Sequence, residues 1–176
     1  MTNLKIVGYE YDSLVDGEGT RLVIFLPGCK HACPGCHNPD LQNPKNFSNI
    51  DSEWLIKDIN LVIEEIDGIT ISGGDPVFDV INTVNVLNTI KKKFPLMNIW
   101  LYTGYLISEV PSTILERIDV LVDGRYLKNK PKALYRGSDN QIVWEKKIKD
   151  GKIYYKNKYG TEEFSLKDEE ILQLRH

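Results

Sequence analysis

The chain reads as an α/β protein with a parallel core sheet and a C-terminal hairpin appendage. Three observations predict this. Strand-like apolar runs recur at residues 21–26, 69–72, 98–104 and 119–124. Stretches with apolar residues at helical spacing lie between them, and strands alternating with helices call for a parallel sheet with right-handed crossovers. Beyond Gly151 the pattern changes to two strand-like runs around a turn, which is the signature of a hairpin.

Taken in order, residues 5–9 are a short apolar run and residues 21–26 a nearly continuous one, as a strand buried on both faces requires. Asp16-Gly17-Glu18-Gly19-Thr20 between them is a turn by its glycines. Asp51 or Ser52 caps a helix with Leu55, Ile59, Val62, Ile63 and Ile66 inward, and Gly68 ends it. The strand at 69–72 closes on Gly73-Gly74-Asp75-Pro76. Asp79 opens a second helix with Ile81, Val84, Leu87 and Ile90 inward; Lys91, Lys92 and Lys93 suit the negative end of its dipole, and Pro95 stops it. After the strand at 98–104, Ser112 caps a short helix through Ile118, and 119–124 is the fourth core strand. The last stretches are a hairpin over 151–164 and a helical tail from Leu166 to Leu174. The expected organisation is one domain, with residues 1–144 as its core and 145–176 as hairpin and short helix of the same domain. Loops that follow parallel strands gather at the carboxyl end of the sheet. The cysteine-bearing loop after residue 26, Gly73-Gly74, Tyr102-Thr103-Gly104 and Asp123-Gly124 should therefore share one rim.

Composition excludes several classes. Of 176 residues, 41% are hydrophobic and 27% charged, which fits a globular protein and excludes a disordered one. No run approaches the ~18 apolar residues of a membrane span, and the first residues lack a basic stretch followed by an apolar core, so a cytoplasmic protein without membrane attachment is expected. The net charge of −3 is unevenly spread: residues 125–158 carry 11 Lys and Arg against 3 Asp and Glu. No nucleic-acid motif accompanies this basic block, so it reads as a solvated face or a protein-docking surface and not as a nucleic-acid site.

All three cysteines fall in Cys29-Lys30-His31-Ala32-Cys33-Pro34-Gly35-Cys36. Three thiolates on one loop suit an iron–sulfur cluster, and the lack of a fourth would leave one iron of a 4Fe-4S cubane open to a small molecule. Competing readings are a structural zinc site completed by His31 or His37, a Cys33–Cys36 redox pair, and a disulfide. A redox pair has no use for Cys29. Structural zinc usually draws on two separated pairs of ligands.

The spacing Cys-x3-Cys-x2-Cys resembles that of the radical S-adenosylmethionine enzymes. Further blocks resemble one branch of them, the anaerobic ribonucleoside-triphosphate reductase activating proteins: Asp16 to Arg21, Cys36-His37-Asn38, Ser72 to Pro76, Trp100 to Tyr105, Asp119 to Tyr126 and Arg136 to Gln141. Activases of other glycyl-radical enzymes, such as the formate acetyltransferase type, share the first blocks but lack the Arg136-to-Gln141 block. A non-enzymatic metal-binding module would need the cysteine loop alone.

The resemblance implies a partial (β/α) barrel in which Cys29, Cys33 and Cys36 hold a 4Fe-4S cluster and the open iron binds S-adenosylmethionine. Reductive cleavage would give a 5′-deoxyadenosyl radical that takes a hydrogen atom from a glycine of the reductase large subunit, with flavodoxin or ferredoxin as electron donor. Gly35, Cys36, His37, Gly73 and Gly74 are the implied cofactor contacts; the two glycines in sequence suit a backbone that approaches a ligand closely. No catalytic side chain is assigned.

Overall fold

The computed structural model describes residues 2–166; the expected helix toward Leu174 lies outside them. Four strands, β3 (Arg21–Leu26), β5 (Gly68–Gly73), β6 (Ile99–Tyr102) and β7 (Val120–Asp123), lie parallel and adjacent in that order. β2 (Gly8–Ser13) pairs antiparallel with β3 at one edge. On the other side β8 (Ile142–Lys149), β9 (Lys152–Asn157) and β10 (Glu163–Ser165) continue the same eight-stranded sheet, all antiparallel. The protein is thus mixed α/β with a parallel core, and its hairpin extends the core sheet.

The parallel register sorts the side chains into two layers, because successive residues of a strand point to opposite faces. Leu22, Ile24, Ile69, Ile71, Ile99, Leu101 and Leu121 form one layer and are fully buried. Against it pack α1 (Ser52–Asn60), α2 (Val80–Lys93) and α3 (Ser112–Leu115), which place Leu55, Ile59, Leu87, Ile90 and Ile114 in the same core. The opposite face carries Val23, Thr70, Trp100 and Val120 in one row and Phe25, Ser72, Tyr102 and Val122 in the next. Among the described residues, no helix covers this second face. The loop at 14–20 and the segment at 125–141 lie over it instead, with Tyr135 packed on Trp100.

Several expectations change in detail. The run at 5–9 divides between β1 (Asn3–Ile6), which pairs with the unforeseen β4 (Ser48–Asp51), and β2. α1 ends at Asn60, and Val62, Ile63 and Ile66 reach the core from turns. α2 is rotated, with Asn82, Thr83 and Val86 buried and Ile81 exposed. The cause is an unpaired strand edge: Asn82 accepts from Lys5 N at 2.9 Å and donates to Lys5 O at 2.9 Å, so the buried amide completes β1 where no strand does. Pro111, not Ser112, occupies the cap of α3, and that helix ends at Leu115. The strand β8 was not expected. Tyr155 of β9 is fully buried and its hydroxyl donates to the carbonyl of Leu115 at 2.5 Å, which satisfies an end of α3 and fixes the hairpin to the core. Among the described residues, no helix is long and apolar enough to cross a membrane.

Candidate metal and cofactor site

The carboxyl ends of the parallel strands open into a cavity of about 400 Å³ over the helix-free face. Cys29, Cys33 and Cys36 all line it, together with Gly74, Tyr102, Thr103, Gly104 and Gly124. The shared rim is therefore formed as the strand order requires. Asp123 lies beside it: its buried carboxylate accepts from Ile107 N at 2.7 Å, and burial pushes its pKa up.

The cysteine loop is held by its backbone. Gly28 N donates to Leu41 O at 2.8 Å and Cys29 N to Gln42 O at 3.2 Å, so the loop's first residues rest on a 3₁₀ turn at Pro39–Gln42. Within it Cys36 N donates to Cys33 O at 3.0 Å, and Ala32 and Gly35 adopt positive φ values of 49° and 74°. All three cysteines border the cavity. The His31 amide donates to Cys29 Sγ at 3.4 Å, while burial pushes the Cys29 thiol up. None of the three is in a disulfide.

The turn after β5 explains its glycines. Gly73 has φ +130°, and a Cβ there would strike the backbone of Leu26. A Cβ on Gly74 would strike the carbonyls of Gly28 and Leu41, the two residues that seat the cysteine loop. Gly74 N donates to Leu26 O at 2.9 Å and Asp75 N to Gly28 O at 2.7 Å, so this turn and the cysteine loop are one packed unit. Gly74 lines the cavity and Gly73 lies behind it.

Asp75 is the residue whose role the sequence did not disclose. Its carboxylate is 2% exposed and accepts from Thr103 Oγ1 at 2.8 Å, Val77 N at 2.9 Å and Gly104 N at 2.9 Å. It shares a fourth hydrogen bond with His31 Nε2 at 2.6 Å. One side chain thus joins the cysteine loop, the β5 turn and the end of β6. The available signal was a carboxylate between a glycine pair and a proline just after a core strand.

The remaining predicted residues are distributed around the cavity. The His37 ring packs on Tyr126, with centroids 4.8 Å apart, at the cavity wall. Gly35 sits under the aliphatic stem of Lys128, where a Cβ would come within 2.8 Å of it. Asp16 lines the cavity and accepts from Ser13 Oγ at 2.5 Å, and its carbonyl accepts from Thr70 Oγ1 at 2.7 Å. Burial pushes the Tyr102 phenol up, and its hydroxyl donates to Tyr135 O at 2.6 Å. Arg136 donates to Gln141 O at 3.1 Å, and Gln141 Nε2 donates to Gly124 O at 2.8 Å, so the Arg136-to-Gln141 block is folded onto the end of β7.

The donor set fits a cluster better than a single ion. Cys29, His31 and Asp75 place one ligand atom each within 4.8 Å of the others, a grouping that uses only one of the three cysteines. His31 and Asp75 already satisfy each other. A cluster held at three points accounts for Cys33 and Cys36 as well.

Comparison with known proteins is consistent with this. The family model of the 4Fe-4S single cluster domain matches residues 15–144. The anaerobic ribonucleoside-triphosphate reductase-activating protein of Enterobacteria phage T4 is 38% identical over 136 residues, 74% of this chain and 86% of that protein. The chain belongs to this family of reductase-activating proteins. The members from Escherichia coli K12, 34% identical over 74% of this chain and 91% of its own length, and from Haemophilus influenzae, 33% identical over 82% of this chain and 100% of its own length, match as well. Among solved structures, QueE from Escherichia coli gives a TM-score of 0.46 at 16% identity over 66% of this chain and 68% of that one.

Proposed function

We propose that the protein activates an anaerobic ribonucleoside-triphosphate reductase by generating a glycyl radical on its large subunit. The observation that carries this is the convergence of Cys29, Cys33 and Cys36, the chain's complete set of cysteines, on one cavity at the carboxyl end of a parallel sheet. Its fold is read as a partial (β/α) barrel of the radical S-adenosylmethionine type, with residues 1–144 as core and 145–176 as an extension of the same domain. When bound, a 4Fe-4S cluster supplies the electron that cleaves S-adenosylmethionine and so initiates hydrogen abstraction from the reductase.

The chain's own residues bind, orient and exclude water. The three thiolates would hold the cluster at three points, and its remaining coordination position would serve S-adenosylmethionine. Gly74 offers its backbone at the cavity wall, where a side chain would strike the carbonyls of Gly28 and Leu41 that seat the cysteine loop. Gly35 and His37 flank Cys36 on the side toward Lys128 and Tyr126 and complete the ligand's surroundings. Leu14 and Val15 line the opening. A cavity of this volume falls in the range of small-molecule sites, ~300–1,000 Å³. An electron donor of flavodoxin or ferredoxin type and a cytoplasmic setting complete the reading; free clustered thiols are the usual state in a reducing compartment.

The test is anaerobic reconstitution with iron and sulfide, followed by incubation with a reductant, S-adenosylmethionine and the reductase. A glycyl radical should appear by electron paramagnetic resonance. Cys29→Ala, Cys33→Ala and Cys36→Ala should each lose the cluster and S-adenosylmethionine cleavage; full cleavage in any of them overturns the assignment.

A further inference from the structure

Residues 158 and 159 lie beyond the 15–144 span of the family model, in the loop between β9 and β10, and each reaches back to a different wall of the cavity. Lys158 Nζ bonds Glu18 Oε1 at 2.5 Å and Glu145 Oε1 at 2.8 Å, and its amide donates to Val143 O at 2.8 Å. Glu18 belongs to the loop at 14–20. That loop supplies Leu14, Val15 and Asp16 to the cavity. The Tyr159 ring lies against the Arg136 guanidinium at 5.0 Å, and Arg136 also bonds Leu134 O at 3.3 Å. Arg136 and Leu134 line the same cavity.

Two adjacent residues thus tie together the two segments that lie over the helix-free face. The lips of the opening are apolar and exposed: Leu14 is 69%, Val15 61% and Leu134 61% accessible. Exposed apolar residues gathered at the mouth of a cavity mark a surface for contact with a partner, and their spacing then bears on what enters. We propose that Lys158 and Tyr159 are positioning residues that fix the width of the opening through which the glycine-bearing segment of the protein substrate enters. This rests on the function proposed above. An exposed ion pair adds little to stability, so its contribution is to geometry.

The experiment has two arms on the reconstituted protein. Amide hydrogen exchange, without any partner, compares wild type with Glu18→Gln, Lys158→Ala and Tyr159→Ala. Exchange in 14–20 should rise in the first two and in 134–137 in the third, with the cysteine loop, iron content and thermal midpoint unchanged. Glycyl-radical formation then compares KM for the reductase with kcat. KM should rise about fivefold, the equivalent of one exposed ion pair or stacked cation, with kcat held, and Lys158→Arg should return it toward wild type. Unchanged exchange overturns the brace, and faster exchange with unchanged KM overturns its role at the opening. If wild-type protein activates no reductase, the functional reading fails, and the exchange arm still decides the brace.

Discussion

His31 Nε2 lies 2.6 Å from Asp75 Oδ2, and this contact fastens the loop that carries the cysteines to the turn that follows β5. Asp75 holds Thr103, Gly104 and Val77 in the same way, so its removal leaves one buried and two half-buried donors without that acceptor. Each such donor costs about 1–3 kcal/mol. Asp75→Ala should lower the thermal midpoint and also the iron retained per chain after reconstitution, because the loop loses its tie. Iron analysis alongside thermal unfolding separates the two. Full iron content would restrict Asp75 to stability.

Gly74 offers a sharper probe of the same unit. A side chain there meets the carbonyls of Gly28 and Leu41 before it meets any ligand. Gly74→Val should therefore reduce iron content and S-adenosylmethionine affinity together, since the cysteine loop must move. Normal iron with weakened ligand binding would show that the loop tolerates the side chain and the ligand does not.

Asp79 caps α2 by accepting from Asn82 N at 3.1 Å and pairs with Lys5 Nζ at 2.9 Å. Burial alone would push its carboxyl up, but the bonds from Lys5 and the Asn82 amide outweigh it and hold the pKa below the usual 3.8. A depressed carboxylate stabilises the fold above its unfolded pKa and loses that contribution as the pH falls through the folded one. Asp79→Ala should cost about 1–2 kcal/mol at neutral pH, the worth of an N-cap. The difference from wild type should shrink as the pH falls below 3.8. Denaturant titration across that range checks it; a constant difference would mean that charge plays no part.

Lys128, Lys130 and Lys132 are exposed, and Lys132 borders the cavity. Like charges at an opening steer encounter with an acidic partner most strongly at low salt. Reversing all three charges should slow glycyl-radical formation, more at low than at high ionic strength, and leave S-adenosylmethionine cleavage without reductase intact. Activation as fast as wild type at low salt would make the block a solvated face.

The sequence by itself determined the parallel core and the loop that carries all three cysteines. Both are local: the apolar runs at 21–26 and 119–124 need burial on two faces, and Cys29, Cys33 and Cys36 sit on one short loop whatever surrounds it. Strand direction then sends every following loop to one edge, which is why the shared rim was legible. Tertiary structure decided what depends on distant neighbours. Ile81 faces solvent and Asn82 the interior because β1, some 77 residues earlier, presents an unpaired edge. Four polar-rich residues at 48–51 become a strand only because β1 lies beside them. Asp75 acquires its role from His31 and Thr103, and Lys158 from Glu18, through contacts spanning 28 to 140 positions of sequence that no local pattern encodes. A hydrogen-bond acceptor in a buried turn is satisfied by whichever donors the fold brings to it, and only the assembled sheet specifies those donors.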